Sequence, residues 1–135
     1  MRVDWLAALC LAAVFPACSF YESHEYKIAG GAHRDTAKVR RIVEQIAADV
    51  HLPDRTRETH IDHHHPIAMF MDPRTSIEAY TRDRDIEVSL SRSDWPPPVA
   101  FRRADRVLAP ALSQAFGRRF SALPKTGAER IVVGD

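Results

Sequence analysis

The sequence predicts an α+β domain in two layers, with two amphipathic helices packed on a three- to four-stranded antiparallel sheet. Two segments, 39–50 and 101–116, repeat apolar residues at helical spacing, and two others, 77–82 and 86–91, alternate between apolar and polar residues. Such alternation indicates strands with one buried and one solvent-facing side. The order helix, strands, helix favours both helices covering one face of an antiparallel meander.

The first helix is the clearest periodic element. Its apolar face carries Val39, Ile42, Val43, Ile46, Ala47 and Val50, and polar residues occupy the other side. Asp35 or Thr36 can cap its first turn, because a short polar side chain accepts hydrogen bonds from the free amide groups there. Pro53 prevents the helix from continuing, since proline lacks the amide hydrogen that a helix needs.

The strands follow a polar segment, 51–66, whose composition is typical of a loop. A short apolar run at 67–71 precedes turn residues Asp72 and Pro73. In the hairpin that follows, the inward-facing side chains are expected to be Ile77, Ala79, Thr81, Ile86, Val88 and Leu90. The opposite face is expected to meet solvent or a partner; it bears Glu78, Tyr80, Arg82, Glu87 and Ser89.

A competing interpretation places a helix over residues 72–80, with Pro73 in its first turn. That helix would have only Ile77 and Tyr80 as large apolar anchors. Residues 72–80 are therefore predicted to be a turn followed by a strand.

The second helix contains a proline in its middle. Its apolar face comprises Phe101, Ala104, Leu108, Leu112, Ala115 and Phe116, and it is expected to end near Gly117. Because an interior proline removes a hydrogen bond and bends a helix, Pro110 predicts either one bent helix or two shorter ones. Before it, Trp95 is expected to cover an edge of the core. The segment 131–133 is interpreted as an added edge strand or a frayed end.

The N-terminal segment predicts export from the cytoplasm. Residues 5–15 form a run of eleven residues without a charge, preceded by Arg2. A membrane-spanning helix needs about 20 such residues, so this run is too short to span and is typical of a secretory signal peptide. Residues 1–17 are therefore predicted to be a signal peptide and are excluded from the fold.

The end of that segment, Phe15-Pro16-Ala17-Cys18, resembles the lipobox of bacterial lipoproteins. The resemblance implies that Cys18 is lipidated and becomes the first residue of the mature protein, and that Ser19 directs it to the outer membrane, facing the periplasm. Ordinary cleavage after Ala17, with plain secretion, is the alternative. Residues 18–34 are then interpreted as the lipidated cysteine and a flexible tether, whose aromatic residues meet the lipid interface or fold back on the domain. A single small α+β domain is expected over residues 35–135.

The charge balance argues against one class of partner, and the cysteine content argues against a disulfide in the mature domain. Nineteen basic residues against 18 acidic ones argue against nucleic acid as a partner, because binding the phosphate backbone needs a strong positive excess. The two cysteines are Cys10, inside the predicted signal peptide, and Cys18, which the lipid would occupy. The mature domain is therefore expected to be stabilised by packing without a disulfide.

A histidine-rich stretch is the one candidate for chemistry. Neutral imidazoles suit zinc, copper or nickel, and His63 and His65 project to the same side of an extended chain. Together with His60 they form the candidate metal site. The spacing matches no specific zinc motif, and a surface loop that binds metal only adventitiously accounts for the same residues.

No catalytic residue is predicted, because the sequence contains no nucleophile elbow, phosphate-binding glycine loop or H-E-x-x-H motif. The expected function is that of a lipid-anchored cell-envelope protein without catalytic activity. It would bind the membrane through its anchor and an envelope protein through its domain, as a binding or envelope-assembly module. The alternative function is transition-metal binding in the periplasm through His60, His63 and His65.

Overall fold

The computed structural model describes residues 19–58, 66–124 and 126–131. Within these residues the elements follow in the order β1 (Ser19–Ile28), α1 (Thr36–Asp49), β2 (Pro66–Met71), β3 (Thr75–Arg82), β4 (Asp85–Arg92), α2 (Val99–Phe116), β5 (Phe120–Ala122) and β6 (Thr126–Ile131). Single turns of 3-10 helix lie at Thr56–Glu58 and Gly117–Arg119.

The strands form an antiparallel sheet in the order β2-β3-β4-β1-β5, and β6 also pairs with β1. In the central hairpin, Ile77 lies opposite Leu90 and Ala79 opposite Val88. These four side chains are fully buried, so the predicted alternation is confirmed. The helical alternative for residues 72–80 is wrong, because β3 occupies that segment from Thr75 onward.

Both helices pack on one face of this sheet, as predicted. α1 buries Val39, Val43, Ile46 and Ala47, and α2 buries Phe101, Ala104, Leu108, Leu112 and Phe116. α2 runs through Pro110 as one helix. Pro110 is solvent-exposed, so the carbonyl that loses its amide partner there can be hydrated. The α+β class with two helices on an antiparallel sheet is confirmed, and the sheet is wider than the three to four strands expected.

The predicted tether over residues 18–34 is wrong for most of its length. Its residues from Ser19 to Ile28 form β1, which lies inside the sheet between β4 on one side and β5 and β6 on the other. The predicted domain boundary at residue 35 is therefore wrong as well. The alternation was hidden because, among the inward-facing side chains described from Glu22 to Ile28, Glu22 and His24 are polar and Tyr26 and Ile28 carry the apolar signal.

The glycine pair after β1 turns the chain into α1. Gly30 adopts a φ of 66°, which glycine reaches without steric cost. At Gly31 a Cβ atom would approach the side chain of Ile86 to 3.1 Å. The glycines that suggested a flexible linker thus form a tight turn against the core.

The outer edge of β2 is paired with the segment after α1. The Met71 amide donates to the Pro53 carbonyl at 3.1 Å, and the Arg55 amide donates to the Met69 carbonyl at 2.8 Å. Covering an edge in this way satisfies backbone groups that would otherwise be available to another chain. The chain then enters residues 59–65, which lie outside the described part.

Candidate functional site

A group of four ionisable side chains, which we call the His24 cluster, lies between the sheet and the start of α2. It comprises Glu22 and His24 on β1, Arg92 at the end of β4 and Asp105 on α2. His24 Nδ1 lies 2.6 Å from Asp105 Oδ1, and its Nε2 lies 2.8 Å from Glu22 Oε1. Arg92 donates from Nε to the second Glu22 oxygen at 2.6 Å. The cluster therefore joins three elements that are distant in sequence.

The histidine of this cluster is held by two carboxylates at once. Each ring nitrogen of His24 lies within hydrogen-bonding distance of a carboxylate oxygen, so neither nitrogen is free. The ring is 3% exposed and meets Phe101 edge-on, with the ring centroids 5.5 Å apart. A histidine without a free nitrogen has no lone pair with which to act as a general base.

The acidic partner is held in its ionised form. Burial by itself would raise the pKa of Glu22, but the hydrogen bonds from His24 and Arg92 outweigh it, and the net effect lowers the pKa below its ordinary value. Arg92, which is 4% exposed, also donates to the Asp94 carbonyl. All the charges of the cluster are thus engaged with one another, and its role is to position β1, β4 and α2.

The face of the sheet opposite the helices, which we call the outer face, has a floor of serines. Ser76 and Ser91 are joined by a hydrogen bond of 2.6 Å, and Ser23 and Ser89 by one of 3.2 Å. Because serine side chains are short, the longer side chains around them form the walls of a cleft of about 240 Å³. Its lining includes Ser76, Ser91, Tyr21, Met71, Arg74 and Glu78.

A second cleft of about 210 Å³ lies beside the first, towards β2. Glu78 borders both clefts, and burial raises the pKa of its carboxyl. Tyr80 lines the second cleft and donates to Glu87 at 2.7 Å, and burial together with this bond raises the pKa of the phenol. The two clefts offer a mixed apolar and polar surface suited to binding.

The outer-face prediction is confirmed in its placement. Glu78, Tyr80 and Arg82 on β3, with Glu87 and Ser89 on β4, all project away from the helices, since the inward positions of both strands alternate with them. Of the serine floor, only Ser89 was predicted on this face, and Ser23 and Tyr21 were missed because β1 was interpreted as a tether. Ser89 and Ser91, at consecutive outward positions of β4, were the available signal.

The predicted site residues fall outside the described part of the chain. Cys18 precedes Ser19, the first described residue, and His60, His63 and His65 lie within residues 59–65. Among the residues that the structure does describe, no three His, Cys, Asp or Glu side chains are arranged to hold a metal ion.

The helices and the comparisons complete the picture of the site. Neither α1 nor α2, the helices found in the described residues, is long and apolar enough to cross a membrane. No protein-family model matches this chain, and no curated protein matches its sequence.

Proposed function

We propose that this chain is a lipid-anchored cell-envelope protein, attached through Cys18 to the outer membrane and facing the periplasm, whose domain binds another envelope protein without catalysing a reaction. The observation that carries the binding role is the outer face. In the described part of the chain, helices cover one side of the sheet, and the other side holds two adjoining clefts bordered by Glu78. Proteins commonly use such concave surfaces, with apolar walls and a few polar groups, to bind ligands.

The position of β1 supports the anchoring role. The strand begins at Ser19, directly after the candidate lipidated residue. Lipidation by two or more acyl chains holds a protein stably at a bilayer, since each buried CH₂ contributes about 0.8 kcal/mol. An anchor at Cys18 would therefore hold the sheet itself close to the membrane, because β1 begins at the next residue.

The absence of a catalytic role is supported by the His24 cluster. Its four ionisable side chains are paired with one another at 2.6 to 2.8 Å. On the outer face, the hydroxyls of Ser23 and Ser89 are bonded to each other, as are those of Ser76 and Ser91.

The binding role is tested by photo-crosslinking in the native cells. A photoreactive residue placed at Tyr80 or Arg82, which line the second cleft of the outer face, is expected to give a discrete crosslinked product with an envelope protein. The same residue at Gln45, exposed on α1, serves as the matched control. Crosslinks of equal yield from all three positions, or none from the outer face, would contradict the proposal.

The anchoring role is tested by mass spectrometry of the protein extracted from membranes. The expected mature chain begins at Cys18 and carries the mass of its acyl chains, and Cys18→Ala is expected to abolish both the modification and the cleavage. A free thiol at residue 18, or a retained Met1, would refute this part of the proposal.

A further inference from the structure

Exposed apolar side chains gather at one end of the sheet. In the described residues, the large hydrophobic side chains that are exposed are Tyr21, Met71, Trp95, Val99 and Val107. Four of these five lie where β1 begins, β2 ends and the chain passes from β4 into α2. We call the group formed by Tyr21, Met71, Trp95 and Val99 the apolar end.

The strand register places Tyr21 and Met71 at the same end of the sheet as Arg92, which Trp95 contacts. Glu22 lies opposite Arg92, which lies opposite Thr75, so the start of β1, the end of β4 and the start of β3 share one row of the sheet. Met71 lies opposite Ser76 in the next strand. Tyr21, Met71 and Arg92 also line the same cleft.

Trp95 is the largest member of the apolar end. It was expected to cover an edge of the core, but 60% of it is exposed, and its ring packs on the Arg92 guanidinium 5.4 Å from the ring centroid. Val99, the first residue of α2, is 55% exposed. Exposing both side chains to water is unfavourable, at about 25 cal/mol for each Å² of apolar surface, and a contact that covers them would recover this free energy.

Basic side chains border this end of the molecule. Arg102 and Arg103, in the first turns of α2, are exposed, and within the described part of the chain neither forms an ion pair. The nearby acids are engaged: Asp94 pairs with Arg74 at 3.2 Å, and Asp72 accepts the amide hydrogens of Arg74 and Thr75. An anionic surface could therefore approach the two arginines.

The position of Cys18 in the chain indicates that this anionic surface is the membrane. The candidate lipidated residue, Cys18, directly precedes β1, which begins at Ser19. One residue spans at most about 3.6 Å, so an anchor at Cys18 brings the apolar end to the level of the lipid headgroups. Tryptophan and tyrosine favour this interface, where part of the ring is buried and the polar edge stays hydrated.

We propose that the apolar end lies on the membrane surface, with Trp95 and Val99 inserted among the lipid headgroups and Arg102 and Arg103 against the phosphates of anionic phospholipids. This inference rests on the proposed anchoring at Cys18 and adds an orientation to it. The second cleft of the outer face, lined by Tyr80 and Arg82, then stays clear of the membrane, because it lies further along β3 from the apolar end.

The test uses the mature protein extracted from membranes and reconstituted into vesicles that contain brominated phosphatidylcholine and phosphatidylglycerol in equal parts. Trp95 is then the only tryptophan, since the other one, Trp5, lies in the predicted signal peptide. Flotation measures attachment, and bromine quenches only a tryptophan that reaches the lipid. We expect the protein to float and Trp95 to lose most of its fluorescence.

Two substitutions on the same helix provide a matched pair. Val99→Asp, at the apolar end, is expected to reduce the quenching severalfold. Val107→Asp, at a residue 47% exposed but two turns further along α2, is expected to leave it unchanged. Replacing Arg102 and Arg103 together by Glu is expected to remove the part of the quenching that depends on phosphatidylglycerol.

The outcomes separate this inference from the anchoring proposal. A protein that floats while Trp95 remains unquenched by bromine overturns the orientation and leaves the anchor intact. If Trp95 is then also shielded from aqueous acrylamide, a protein surface covers the apolar end in place of lipid, and the inference again fails. A protein that does not float overturns both proposals.

Discussion

Replacing Arg92 by Met is expected to lower the free energy of unfolding by about 3 kcal/mol, the lower end of the range for breaking a buried ion pair. Methionine keeps the aliphatic stem but removes the Nε and Nη2 contacts to Glu22, each 2.6 Å long, and the hydrogen bond to the Asp94 carbonyl. The lower end applies because Glu22 keeps its bond to His24 and 24% of its side chain reaches water.

The assay is urea denaturation followed by circular dichroism. A total stability of about 5–15 kcal/mol is usual for such a domain, so a loss of this size is a readily measured shift of the midpoint. Arg106→Met, an exposed arginine of α2, is the control and is expected to change stability by less than about 0.5 kcal/mol. In a double-mutant cycle, Glu22→Gln is expected to cost less in the Arg92→Met background, because its charge has then lost its partner.

The same cluster predicts a dependence on pH. The folded pKa of Glu22 lies below its ordinary value of 4.5, so the unfolded chain binds its proton first as acid is added. The contribution of Glu22 to stability is complete at pH values above its ordinary pKa and is lost as the pH falls through its folded pKa. Arg92→Met is expected to make the free energy of unfolding fall less steeply as the pH is lowered. For Arg92→Met at neutral pH, a loss of stability of less than about 1 kcal/mol would refute the reasoning. Strictly additive effects of Arg92→Met and Glu22→Gln in the double-mutant cycle would also refute it.

Three further predictions concern the core, the turn after β1 and the histidine-rich segment. Ile46→Asp is expected to abolish cooperative unfolding, seen in thermal melts, because the side chain is 7% exposed and a buried charge there has no partner. Gly30→Val is expected to cost about 1–2 kcal/mol in urea titrations, from backbone strain alone, since a Cβ atom there would contact nothing within 4 Å; an unchanged midpoint would contradict this. If the histidine-rich segment binds zinc, copper or nickel, the metal at a hundred times its dissociation constant raises the free energy of unfolding by about 2.7 kcal/mol. The control is the variant in which His60, His63 and His65 are replaced by alanine. Equal melting midpoints with and without metal would exclude binding.

The elements that the sequence predicted correctly share one property. In α1, α2 and the β3–β4 hairpin, most of the side chains that face the core are apolar and recur at the period of the helix or strand. A local pattern of this kind is sufficient because burial of each side chain is favourable whichever element it packs against. The turn at Asp72 was predictable for a similar reason, since its carboxylate bonds to the amides of Arg74 and Thr75 within the same turn.

The candidate sites were harder to predict. The outer face could be placed from the hairpin, but its serine floor required Ser23 of β1 as well. The apolar end required the register, because Tyr21, Met71 and Trp95 come from separate strands and loops. Cys18 and the three histidines remain predictions, because they lie outside the described residues.

The sequence by itself determined the α+β class, the two helices and the central hairpin, because their periodic apolar residues specify a buried face without reference to the rest of the chain. Only the tertiary structure decided the position of β1. Its inward-facing Glu22 and His24 are stable there because Arg92 and Asp105, 70 and 81 residues away, supply their charge partners. A buried polar side chain is favourable only when its partner is in place, and the identity of that partner is a property of the fold.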